Sequence, residues 1–162
     1  MKLLVDLSLD GEPLWDMCCD HGYIGLLALS SRRFSHVYFV DNVAHIINRL
    51  QELIDQSPFK YDSPSYSLVN SKVEDLRVLV DGTCIIAGVG GKTIVTILEA
   101  LSNNNFLGAE RLILSAHTRE SYLLDFLNSS NFSSLYSLSE SRDIYEGKRL
   151  RRIYVLNKNS LP

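Results

Sequence analysis

The 162-residue chain reads as an α/β protein with a mostly parallel sheet that closes in a C-terminal antiparallel hairpin. Three observations point there. Short β-rich apolar runs alternate with longer stretches of helical period, the mark of parallel strands joined by crossover helices. Two of the strand ends run into chemically distinctive turns, one rich in acids and one in glycine. After residue 132 the alternation stops, and two strand-like runs follow with no helix between them, which implies a hairpin.

In chain order, residues 14–18 form the first strand and 23–32 its helix. Residues 36–40 form the second strand, ending at Asp41, and the next helix spaces Ile46, Ile47, Leu50, Leu53 and Ile54 by threes and fours. A polar break over 57–65, with Pro58 and Pro64, precedes a third strand over 66–69 and then a loop or short helical turn. The apolar run 83–87 ends in Gly88-Val89-Gly90-Gly91, and helical period resumes over 93–101. A strand over 111–116, a helix over 120–127 and hairpin strands over 132–139 and 150–156, joined through 143–148, complete the chain.

A hydrophobic content of 46% is enough for one core, so residues 1–162 are expected to form a single domain. Apolar runs stay below the roughly 18 residues that span a bilayer, and the first residues carry acids, so a soluble, cytoplasmic protein is expected, with no membrane partner. Cys18, Cys19 and Cys84 are odd in number and lack zinc spacing, which favours free thiols and no metal. The net charge is −3, so any RNA contact must come from a local patch. Lys148, Arg149, Arg151 and Arg152 form that patch, joined by Arg32 and Arg33, although the same residues would serve edge protection equally well.

The first strand's end carries the most chemistry. In doubly wound sheets this crevice binds ligands, and a pyrophosphate cradle would be glycine-rich, whereas here only Gly22 and Gly25 remain. Asp16 and Asp20 instead suit a ligand carrying an ammonium and a sulfonium, as S-adenosylmethionine does. Asp41 stands about 20 residues on, where an acid accepts the ribose hydroxyls. Asp16 and Asp41 could also simply cap helices or end strands. His21 could orient a ligand or cap the next helix, while Cys18 and Cys19 lack a helper constellation and are not expected to act as nucleophiles.

These residues resemble the bacterial tRNA adenine-22-N1 methyltransferase family, a class I group, over nearly the whole chain. Its first motif, Asp-Ile-Gly-Ser-Asp-His-Ala-Tyr, is similar to Asp16 through Tyr23, with Asp16, Asp20, His21 and Tyr23 kept. Its Ile-Ala-Gly-Met-Gly-Gly is similar to Ile86 through Gly91, and its Arg-Leu-Ile-Leu to Arg111 through Leu114. The chain departs from it at Cys18, which replaces a glycine, at Ser115-Ala116-His117 for Gln-Pro-Asn, and at Asn70 through Glu74 for a Gly-Asp-Gly pattern.

The resemblance implies a Rossmann-like class I methyltransferase fold of seven strands. S-adenosylmethionine would be bound by Asp16, Cys18, Cys19 and Gly22, by Asp41 and Asn42, by Ser71 and Val73, and by Ala87, Gly88 and Val89. Asp20 and His21 would be catalytic, with Tyr23, Gly90, Gly91 and His117 toward the substrate. The expected reaction is methylation of adenine N1 in tRNA or another RNA, by the catalytic domain alone, without the family's C-terminal coiled-coil domain. A partner subunit or oligomer would then supply grip. An inactive cofactor-binding module, or an enzyme for a smaller substrate, is the alternative.

The stretch Gly91-Lys92-Thr93 also invites comparison with a phosphate loop. That motif's first glycine would fall at Ile86, inside the strand, so nucleotide triphosphate hydrolysis is not supported. In the methyltransferase reading, glycines here let a flat base approach the backbone, and the lack of an Asn/Asp-Pro-Pro-aromatic motif favours a ring nitrogen over an exocyclic amine as acceptor.

Overall fold

The computed structural model describes residues 1–57 and 65–160. Seven strands form one sheet in the order β3-β2-β1-β4-β5-β7-β6. They are β1 (Leu14–Met17), β2 (Val37–Asp41), β3 (Tyr66–Asn70), β4 (Thr83–Val89), β5 (Arg111–Ala116), β6 (Tyr136–Glu146) and β7 (Arg149–Lys158). The first five run parallel, while β7 lies antiparallel to both β5 and β6. The sheet and its closing hairpin agree with the architecture expected from the sequence. The expected break at Pro58 and Pro64 lies outside the described residues.

Strand alternation sends the core to two layers, as side chains on a pleated sheet must. Trp15, Met17, Cys84, Ile86, Leu112 and Leu114 pack on one face under α4 (Gly91–Asn103) and α5 (Glu120–Leu127). Leu14, Phe39, Ile85 and Ile113 pack on the other with α1 (Lys2–Asp6), α2 (Tyr23–Ser31) and α3 (Ala44–Asp55). In α3 the buried residues are Ile47, Leu50 and Ile54, a single stripe, each contributing roughly 1.5–3 kcal/mol on burial. The turn expected after β3 is one 3-10 turn, Val73–Asp75, which buries Val73.

The C-terminal hairpin differs from expectation in both position and length. Phe132 belongs to a short helix, α6 (Ser130–Ser133), and fills the core, so the strand begins only at Tyr136. Asp143 to Glu146, expected in the connection, are strand, and the turn is just Gly147-Lys148, with Gly147 at φ 62°. A two-residue hairpin turn requires positive φ, which glycine supplies at no steric cost. Arg151 and Arg152 are therefore rungs of a long ribbon.

Strand order reverses between β1 and β4. The chain builds β1 to β3 outward in one direction, then returns to lay β4 on the other side of β1. The diverging connections leave a crevice above the carboxyl ends of β1 and β4, the usual ligand position in such sheets.

Candidate functional site

A cleft of about 700 Å³ opens at that reversal. Its floor is the turn after β1, where Cys18 (φ 56°), Asp20 (φ 48°) and Gly22 (φ 67°) all take the left-handed conformation. For Cys18 and Asp20 this costs on the order of 1–2 kcal/mol each, so something must hold the turn. The end of β2 does so. The Cys19 N–H donates to the Val40 carbonyl at 3.1 Å, and the Asp20 N–H donates to Oδ2 of Asp41 at 3.0 Å. Oδ1 of Asp41 accepts the Val43 N–H at 3.0 Å, so one carboxylate fixes both the turn and the start of α3. Each of its oxygens keeps a second lone pair for a ligand.

Asp16 is 2% exposed and accepts the Gly25 N–H through Oδ2 at 2.9 Å, tying β1 to α2. Burial pushes its carboxyl up to about 7, against the lowering effect of the Gly25 bond and with a further push from Asp41. Burial likewise pushes the Cys18 thiol up to about 12, and the Cys19 thiol higher still, so both stay protonated and neither is a ready nucleophile.

Asp20 and His21 stand together at the mouth. Oδ2 of Asp20 lies 2.7 Å from Nδ1 of His21, and the imidazole stacks on Tyr23 with ring centroids 5.4 Å apart and planes within 6°. The bond through Nδ1 leaves Nε2 as the outward ring nitrogen. All three side chains are exposed enough to meet a bound molecule, Tyr23 at 56%.

The turn after β4 supplies the far wall. Ala87, Gly88, Val89 and Thr93 line the cleft, as does His117 from the neighbouring β5 turn. The two turns are joined, because the Gly91 N–H donates to the Thr118 carbonyl at 2.7 Å and the His117 N–H to the Val89 carbonyl at 2.8 Å. Here the glycine reading needs correction. A Cβ on Gly91 would lie 2.3 Å from the Arg119 carbonyl oxygen, and one on Gly90 3.0 Å from the Thr118 hydroxyl. Those two glycines admit the β5 turn rather than a flat base, and neither lines the cleft. Gly22 differs: a Cβ there would meet the end of the Leu50 side chain of α3 at 2.4 Å, and its φ of 67° is itself the left-handed turn that glycine accommodates. Gly88, with φ 83° and open space where a Cβ would stand, lines the cleft and is glycine for its conformation rather than for packing.

The other sequence-nominated residues converge: Asp16, Cys18, Cys19, Asp20, His21 and Tyr23 on the β1 side, Asp41 and Asn42 after β2, and Ser71 and Val73 after β3. The structure adds groups that the sequence did not bring to the site. Lys72, Glu74 and Thr93 line it, as do Met1 and Leu4 of α1. Ile144, Arg151 and Ile153 reach it from the hairpin, and Arg151 donates through Nη1 to the His117 carbonyl at 2.9 Å. Ile144 and Arg151 face each other across the ribbon, and this register puts them on its cleft side. Strand alternation held that signal, but only once β6 was known to extend through residue 144.

The basic patch divides. Arg33 sits at the opposite end of the sheet, where its carbonyl accepts the Gly11 N–H and its Nε donates to Asp10 at 2.7 Å. Arg152 pairs with Asp143 through two hydrogen bonds of 2.6 and 3.1 Å. Lys148, Arg149 and Arg151 remain at the cleft end. Among the described residues no group of His, Cys, Asp and Glu could hold a metal ion, and no helix is long and apolar enough to cross a membrane.

Comparison with known proteins agrees with this geometry. A family model described as a methyltransferase domain matches residues 1–153. A Listeria monocytogenes serotype 4b protein superposes with a TM-score of 0.83 at 20% identity, over 99% of this chain and 67% of that one. The B. subtilis m1A22 tRNA methyltransferase TrmK gives 0.81 at 18%, over 98% and 64%. M. capricolum TrmK, solved with S-adenosyl-homocysteine, gives 0.77 at 20%, over 98% and 67%. The chain thus spans about two thirds of the length of these structures, and at such identities the likeness establishes the fold. No curated protein matches the chain.

Proposed function

The chain belongs to the methyltransferase-domain family, and from that premise we propose that it uses S-adenosylmethionine to methylate N1 of an adenine in RNA, with tRNA as the leading substrate. The observation that carries this reading is the charge of the cleft. Asp20, Asp41 and Glu74 line it, with the Asp16 carboxyl raised to about 7 beneath them, against Lys72 and Arg151, an environment that disfavours a pyrophosphate and attracts a ligand bearing an ammonium and a sulfonium.

The residues present fit that cofactor. Asp41 and Asn42 would hold the ribose, Ser71 and Val73 the adenine, and the Asp16 to Cys19 turn with Ala87 to Val89 the methionine portion. When bound, S-adenosylmethionine supplies an electrophilic methyl group. The protein's own contribution is positioning and exclusion of water, because neutral adenine N1 already carries a lone pair. Asp20 stabilises the positive charge that methylation leaves on the base and accepts the proton released by the amino group, while His21 orients the Asp20 carboxylate through the 2.7 Å contact. Tyr23 and His117 bound the space for the acceptor.

RNA as the acceptor is supported by Lys148, Arg149 and Arg151, which lie at the cleft end of a chain that is otherwise acidic. The B. subtilis relative acts on tRNA, and that substrate is carried over here as part of the proposal. The test is calorimetry with S-adenosylmethionine, followed by incubation of the protein with labelled cofactor and total RNA from a strain lacking the gene. Micromolar binding, with label on RNA that disappears in Asp20→Ala, is the expected result. No binding at millimolar cofactor would overturn the reading, and binding with label on no RNA would leave a cofactor-binding module instead.

A further inference from the structure

Beyond the last rung with β5, where Leu114 faces Tyr154, the β6–β7 hairpin continues as a two-stranded ribbon tied to the β5 end by Ser115 on the Arg152 carbonyl and Arg151 on the His117 carbonyl, and it borders the cleft. Its inner side carries Ile144, Arg151 and Ile153 into the cleft. Its outer side carries Tyr145 opposite Leu150, exposed by 77% and 49%. Among the described residues neither joins the packed core, although apolar side chains of this size are usually buried.

The ribbon's charge points to the occupant. Residues 142–152 hold five of the chain's 16 lysines and arginines but only two of its 19 acids, in a protein of net charge −3. Asp143 neutralises Arg152 on the outer side, Arg142 pairs with Glu140, and Arg149 alternates to the inner side opposite Glu146, which leaves Lys148 at the turn next to the Tyr145–Leu150 pair. An aromatic platform beside a lysine suits an unpaired nucleotide, whose base stacks on the ring while its phosphate meets the ammonium.

Resting on the RNA reading above, we propose that the Tyr145–Leu150 rung is a second nucleotide-binding site, outside the cleft, that stacks an unpaired base of the substrate RNA, with Lys148 of the turn on the adjoining phosphate. Alternation assigns the two sides of the ribbon different work. The inner side borders the nucleotide that is methylated, and the outer side holds an unpaired neighbour, so the ribbon selects looped RNA over continuous duplex.

The experiment uses the full chain, a stem-loop RNA with an unpaired adenine, and the matching duplex. Tyr145→Ala is expected to weaken stem-loop binding by about tenfold or more, the range of one lost base–aromatic stack. Tyr145→Trp should restore it, with cofactor affinity and melting temperature unchanged in both variants. Wild-type binding to the stem-loop should exceed binding to the duplex. Equal RNA affinity of Tyr145→Ala and wild type, while the wild type still methylates RNA, would overturn this proposal alone. Failure of the wild type to bind or label any RNA would overturn it together with the reading beneath it. Loss of self-association in Tyr145→Ala, with RNA affinity intact, would overturn it in favour of a contact between copies of the chain.

Discussion

Two regions border the same cleft and are held in place by different physics. The turn after β1 is built from buried hydrogen bonds to backbone donors: Asp41 accepts from Asp20 and Val43, and Asp16 from Gly25. The overhanging end of the hairpin carries exposed side-chain bonds instead, Arg152 with Asp143 and Arg151 with the His117 carbonyl. Buried charge-assisted bonds cost the full desolvation of the stranded group when broken, whereas exposed pairs contribute little. Stability and cofactor binding should therefore depend on the first region, and choice of acceptor on the second.

The sharpest way to break this contrast is Asp41→Ala. It strands the N–H groups of Asp20 and Val43 beside a residue only 7% exposed, and leaves the left-handed Cys18 and Asp20 without their anchor. A loss of about 2–4 kcal/mol in denaturant-measured stability is expected, together with loss of cofactor binding. A variant that unfolds like wild type would show that the turn holds its shape unaided.

A middle-sized effect concerns pH. The Asp16 carboxyl is raised in the folded protein, from 3.8 to about 7, so the native state holds a proton there that the unfolded chain gives up. Its contribution to stability is fully present below pH 3.8 and is lost as pH rises through about 7. A cationic ligand reverses the preference by favouring the ionised carboxylate. Affinity for S-adenosylmethionine should accordingly rise between pH 6 and 8, by at most about tenfold per pH unit, and Asp16→Asn should flatten that slope. Calorimetry in buffers of different ionisation enthalpy would detect the released proton, and a pH-independent affinity would argue that Asp16 does not sense the ligand.

The smallest effect belongs to the hairpin. Asp143→Ala frees Arg152 at the surface, and its melting temperature should match that of wild type within error. RNA affinity should hold or rise slightly, and should fall with salt more steeply than in wild type because one more cation becomes available to phosphate. A large drop in melting temperature would show that the ribbon is structurally coupled to the core, and the contrast between the two regions would fail.

Much of the fold was legible in the chain because its periods are local. Ile47, Leu50 and Ile54 announce α3 by spacing alone, and the alternating runs with their acidic and glycine-rich ends locate β1, β2 and β4. The acids of the site were legible for a related reason, since a carboxylate at a strand end has few neighbours to satisfy it without a ligand or a cap. The extent of β6 was not. Phe132 is β-prone but sits in a helical turn under the core, and the polar stretch Ser139 to Glu146 resembles a loop until β7 pairs with it. Strand pairing overrides propensity where a long register supplies the hydrogen bonds.

What the sequence determined by itself was the alternation of strands and helices from β1 to α5 and the acids that follow β1 and β2, because each depends on residues close together in the chain. Only the tertiary structure decided why particular glycines are glycine. Gly91 admits the Arg119 carbonyl, Gly22 combines a left-handed turn with close packing on Leu50, and Gly88 bends for its own turn. The same holds for Arg151, which entered the cleft when a ladder far along the chain set the face of β7. Contacts between segments distant in sequence leave no local pattern, so their chemistry becomes visible only when the sheet brings them together.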